Sequence, residues 1–169
     1  FAGAPIKPVA LHYEGFARQG EFVLSAYGIE GSLVYAASAL IRGAIARHGA
    51  ATITLDLLPD FDTPRVAREV AHPRGSRSLG SHLKSRLGLE GAKVALMHEL
   101  LPREVIADNT RLAAAIKALP IALAAARPIA RLDQQLGDRS AVGEAQCRLG
   151  AGDNGAAGAD RRLDIASLN

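Results

Sequence analysis

Gly28, Gly31 and Ser32 stand where an alternating apolar stretch gives way to a helical one, within GEFVLSAYGIEGSLVYAASALIRGAI from Gly20 to Ile45. A helix that opens after a glycine turn leaves backbone N–H groups without partners, and such groups can face a phosphate or another anion. That chemistry makes Gly28, Gly31 and Ser32 the candidate binding residues. The plainer reading of the same spacing is a tight strand-to-helix turn in which glycine supplies a positive φ. A lone GxxG is a weak signal, and Glu30 in the gap opposes an anion.

A second candidate is basic. Arg65, Arg68, Arg74, Arg77, Lys84 and Arg86 fall within one short stretch, against Glu69 alone. Such a run could contact a phosphate-bearing partner, either nucleic acid or a dinucleotide. It could equally be the solvated face of a helical bundle. No aromatic residue is interleaved with these charges, and stacking on unpaired bases needs one.

The remaining chemistry-bearing residues do not combine. The five histidines, His12, His48, His72, His82 and His98, show neither HxxxH nor HExxH spacing. Asp56, Asp60 and Asp62 surround Pro59, but the spacing lacks the glycine and terminal glutamate of a calcium loop, so a turn is expected there. No GxSxG is present. The single cysteine, Cys147, can form neither an internal disulfide nor a cysteine-based zinc site. No catalytic residue and no metal ligand are therefore assigned.

These residues need elements to hold them. Val9, Leu11 and Tyr13 alternate with Ala10, His12 and Glu14, and Phe22, Leu24 and Ala26 share one face, so residues 8–26 read as strands. Residues 32–47 read as a helix with an apolar stripe of Leu33, Ala37, Leu40, Ile41, Ala44 and Ile45. Ser32 is the expected N-cap, and Gly49 the expected stop. Ile53, Leu55 and Leu57 mark another strand.

From Thr63 to Leu119 the period becomes helical. Thr63-Pro64 opens a helix near 63–71, Ser78 or Arg77 a second that Gly88 closes, residues 90–101 a third, and Thr110–Leu119 a last one. Ile121, Leu123 and Ala125 return to strand. The fold class is therefore α+β: a small antiparallel sheet or partial barrel over 1–61 and 120–131, with a helical bundle inserted over 62–119. Residues 132–169 form a patternless tail, in which GAGDNGAAGADRR reads as loop or disorder. An out-of-frame origin would explain that loss of pattern.

Apolar residues make up 49 % of the 169, enough for a core, but aromatics are only 4 %, so the core must be aliphatic. A net charge of +3 is too mild to argue for nucleic acid by itself. No apolar run approaches a membrane span and no basic-then-apolar leader is seen. The low cysteine content suits a reducing cytoplasm. Because the chain begins with Phe1, it reads as a piece of a longer protein.

The segments FAGAPIKPVALHYEG, GEFVLSAYGIEGSLVYAASALI, TITLDLLPD, RGSRSLGSHLKSRLGL and RLAAAIKALPIALAAARPI resemble, in order, the BaiN/RdsA-like NAD(P)/FAD-dependent oxidoreductases, which include aminoacetone-oxidase-like flavoproteins. The resemblance runs from Phe1 to about Ile129. It implies the insertion region of such an enzyme, a barrel-like unit carrying a helical bundle beside an FAD-binding domain. It further implies that this region caps the flavin, shapes the substrate pocket and has no activity alone. The Gly28–Ser32 turn would face the flavin domain, which would be its partner. No GxGxxG is expected to follow a strand anywhere in the sequence, so the main dinucleotide fingerprint is taken as missing and FAD is not expected to be retained by this chain. The alternative from another class is a small basic module that binds nucleic acid or an acidic protein.

Overall fold

The computed structural model describes residues 3–25 and 28–127, together with 147–149 and 162–166. Strands β1 (Pro5–Tyr13) and β2 (Phe16–Ser25) form a hairpin whose last pair is Tyr13 with Phe16. Its two turn residues, Glu14 (φ 41°) and Gly15 (φ 83°), are both left-handed, which matches the right-handed twist of the strands. The β1–β2 register shifts between Ile6 and Val9, around Pro8, which has no N–H to give the ladder.

Strand β3 (Gly28–Glu30) pairs antiparallel with β2 and leads into α1 (Ser32–His48). Strand β4 (Ala51–Asp56) then pairs antiparallel with β1. Five helices follow: α2 (Thr63–Ala71), α3 (Leu79–Leu87), α4 (Ala92–Leu100), α5 (Arg103–Ala107) and α6 (Asn109–Lys117). Strand β5 (Leu119–Arg127) closes the excursion by pairing with β4, Leu55 opposite Leu119. The helical unit therefore leaves and re-enters the sheet at adjacent points.

The order β3-β2-β1-β4-β5 is antiparallel throughout. Two short strands from the expected tail extend it. They are β6 (Cys147–Leu149) and β7 (Arg162–Ala166), with β7 parallel to β5 and β6 antiparallel to β7. Both lie close to β3 at the far end, so the sheet curls toward a barrel. The rest of the tail lies outside the described residues, as does Ala26 of the expected strand face.

Helix α1 packs across the strands, and its inward face is Leu33, Val34, Ala37, Ser38, Ile41 and Ala44. This corrects the expected stripe: Leu40 is 45 % exposed, whereas Val34 and Ser38 are buried. A mixed face is tolerated because the Ser38 hydroxyl donates to the Tyr35 carbonyl at 2.6 Å, inside its own helix. One aliphatic core joins the sheet, α1 and the bundle, from Ile6, Leu11 and Phe22 through Ile53 and Leu55 to Leu83, Leu112 and Ile116.

The helix starts are set by short polar side chains. Asp62 accepts from the Arg65 N–H, Ser78 from Ser81 and Asp108 from Arg111, so α2, α3 and α6 each have a side-chain cap. Thr63, the expected opener of α2, lies one position inside it. Helix α5 leaves no mark in the sequence, because at five residues it is too short to show a period.

Candidate functional site

The structure gathers Gly28, Gly31 and Ser32 at the β3–α1 turn, as their spacing suggests. Gly28 opens β3 and is buried. Gly31, not Ser32, is the N-cap, with φ 124° and no side-chain cap bond. Ser32 is the first helical residue and is exposed. The reason for glycine at position 31 is local: a Cβ there would stand 3.2 Å from the Phe22 Cα, a backbone atom that cannot step aside. One carboxylate oxygen of Glu30, beside the helix start, is buried without a hydrogen-bond partner. The left-handed backbone and the close approach of β2 explain the glycine at this corner.

A more enclosed site lies elsewhere. A cavity of about 370 Å³ opens between β1 and the bundle, lined by Pro5, Lys7, Pro8, Leu58, Asp60, Phe61, Leu87, Gly88, Glu90, Ala92 and Lys93. Lys93, in the first turn of α4, reaches across it. Its Nζ donates to the carbonyls of Pro8 and Leu57, each at 2.7 Å. Desolvation lowers the Lys93 pKa below the usual lysine value, opposed by the nearby charges of Asp60 and Asp56.

Beneath the cavity the β4–α2 connection is fastened by a second lysine. Lys117 Nζ lies 2.6 Å from Asp56 Oδ2 and donates to the carbonyls of Leu58 and Phe61. The other Asp56 oxygen accepts from the Leu58 N–H at 2.9 Å. The three aspartates around Pro59 are thus used separately. Asp56 pairs with Lys117, Asp60 accepts from Gln19 at 3.2 Å, and Asp62 caps α2. Among the described residues, no three His, Cys, Asp or Glu side chains gather as a metal would require.

The basic run divides. Arg86 lies 2.6 Å and Arg68 3.7 Å from Glu69, Lys84 lies 2.6 Å from Glu90, and Arg65 sits over the Phe61 ring at 4.0 Å. Arg74 and Arg77 are exposed on the α2–α3 connection. Most of the run therefore serves local pairing. His82 is buried and its Nε2 bonds the Glu69 carbonyl at 3.0 Å, tying α3 to α2. His12 and His48 line a shallow groove with Tyr13 and Glu14. The Tyr13 hydroxyl donates to Glu14 there, and desolvation first, then Glu14, raises its pKa.

Lys93 and Lys117 are not among the residues that the sequence points to. Their only signal is a lysine inside each expected helix, and that pattern is indistinguishable from a solvated one. A further correction concerns the string Gly150-Ala151-Gly152-Asp153-Asn154-Gly155, which has GxGxxG spacing and directly follows β6. Such a string therefore does follow a strand, contrary to expectation, because β6 is too short to show alternation. Residues 150–161 lie outside the described residues, and the next described element is the strand β7.

Residues 1–131 match the family described as HI0933-like protein barrel and H2TH domain. No curated protein matches the chain. No helix among the described residues is long and apolar enough to cross a membrane.

Proposed function

The chain belongs to the HI0933-like barrel and H2TH family, within the FAD-dependent oxidoreductases of the BaiN/RdsA-like group, and from that premise we propose that it is the insertion region of such an enzyme. Its barrel part is 1–61 with 120–131, and its helical part 62–119. In the intact protein it covers the flavin held by a separate dinucleotide-binding domain, excludes water and shapes the pocket for the substrate, the flavin taking its electrons from NAD(P)H or an organic substrate. The Gly28–Ser32 corner belongs to the surface turned toward that domain.

The observation that carries this reading is the family match over residues 1–131, joined to a topology in which a helical unit leaves and re-enters one sheet. On this reading the Gly28–Ser32 turn does not itself hold the dinucleotide, and the buried Glu30 oxygen beside it supports that, since it disfavours an anion there. The grip on FAD therefore comes from elsewhere in the assembled enzyme.

The test mixes the purified chain with an FAD-loaded dinucleotide-binding domain from an oxidoreductase of this group. The expected result is a complex on gel filtration whose flavin fluorescence is shielded from iodide. Unchanged iodide quenching overturns the capping role. Near-stoichiometric flavin on the purified chain alone overturns the view that the grip lies elsewhere.

A further inference from the structure

The cavity between β1 and the bundle is not explained by the capping role, and its volume of about 370 Å³ falls in the range of roughly 300–1,000 Å³ usual for small-molecule sites. Four of its lining residues are charged. Two of them are satisfied at its rim: Lys7 lies 3.4 Å from Glu21, and Glu90 lies 2.6 Å from Lys84. The other two, Lys93 and Asp60, make no ion pair among the described residues. Lys93 spends two of its three N–H donors on backbone carbonyls and keeps one. Asp60 accepts only from the neutral Gln19 amide. The two are near enough to influence each other's charge yet not in contact.

A half-buried ammonium with no carboxylate in contact is costly, whereas Asp60 beside it is exposed and open to a ligand. A lone anion on Lys93 would face Asp60. A lone cation on Asp60 would face Lys93. A ligand carrying both charges meets both residues. Leu58, Phe61 and Leu87 supply an apolar wall beside them. We propose that this cavity binds a small zwitterion of the amino-acid type, its carboxylate on Lys93, its ammonium on Asp60 and its side chain against Leu58, Phe61 and Leu87. The inference is independent of the flavin-capping role, because it concerns the chain alone.

The test is calorimetric titration of the full chain with L-leucine, with leucinamide, which lacks the carboxylate, and with N-acetyl-leucine, which lacks the ammonium. The expected result is saturable binding of leucine, with each blocked analogue at least about tenfold weaker, the loss of one charge-assisted contact. Asp60→Asn is expected to weaken leucine and to strengthen N-acetyl-leucine, whose lone carboxylate no longer faces a negative charge. Ala92→Phe, which adds bulk at the cavity lining, is expected to abolish leucine binding. Lys93→Met is expected to weaken leucine; should it unfold the chain, the other two variants still decide. The proposal is overturned if leucine gives no saturable heat, if either blocked analogue binds as well as leucine, or if Ala92→Phe has no effect.

Discussion

Replacing Asp56 by Asn should expose how the barrel is fastened to the bundle. The Lys117 ammonium has three acceptors, Asp56 Oδ2 at 2.6 Å, the Leu58 carbonyl at 2.9 Å and the Phe61 carbonyl. Both side chains of the pair are only 12–14 % exposed. The asparagine oxygen can still accept from the Leu58 N–H, so that bond survives, and the loss is the counter-charge together with the acceptor for Lys117, which an amide NH2 replaces with a donor. Breaking a buried pair from one side costs roughly 3–5 kcal/mol, and the residual exposure places this case near the lower end, about 3 kcal/mol. Against a domain stability of roughly 5–15 kcal/mol, that is a large fraction.

Urea unfolding followed by circular dichroism measures it, with the denaturant slope expected to stay constant. Lys117→Met in the same background should cost much less than it does alone, because the cation left without its partner is gone. A coupling energy of about 2 kcal/mol is expected from the double-mutant cycle. If Asp56→Asn costs less than about 1 kcal/mol, as exposed pairs do, the pair is not buried in the sense used above and the reasoning fails.

Two further outcomes follow from the same geometry. Gly31→Ala forces a Cβ against the Phe22 backbone at a φ of 124°, and should cost roughly 1–3 kcal/mol, while Ser32→Ala should stay within about 0.5 kcal/mol because Ser32 caps nothing; a cap-sized loss at Ser32 in urea melts would reverse the assignment. Nitrogen-detected NMR titration of the lysine side chains should find Lys93 losing its proton below the ordinary value of 10.5 and Lys84, held by Glu90, above it. Since a depressed lysine pKa means that the unfolded chain binds more protons, the Lys93 contribution to stability should rise with pH across the window just below 10.5. Lys93 titrating after Lys84 would contradict the buried environment.

Much of the architecture is legible along the chain because its causes are local. Period-two alternation marks β1, β2 and β4, the left-handed glycines Gly49 and Gly88 stop α1 and α3, and Ser78 starts α3, each within a few residues of its effect. The α+β class and the order sheet, helices, strand follow from those signals. The errors arise where a side chain's role depends on what lies across from it. The expected stripe includes Leu40 and leaves out Ser38, and only the strands packed under α1 select Ser38 for the interior, where its hydroxyl can satisfy itself on Tyr35. Gly31 reads from its spacing as either a phosphate turn or a tight turn, and only the fold brings the Phe22 backbone, nine positions earlier, to within 3.2 Å of where its Cβ would stand.

The candidate site was the least legible part. Lys93 meets Pro8 across 85 positions and Lys117 meets Asp56 across 61, and neither spacing carries a pattern. The sequence by itself determined the elements, their order, the aliphatic character of the core and the family resemblance, since these depend on neighbours along the chain. Only the tertiary structure decided which lysines are desolvated, which glycine is needed for close packing and where a cavity remains. Burial and charge pairing are properties of groups brought together by folding, and no residue carries them alone.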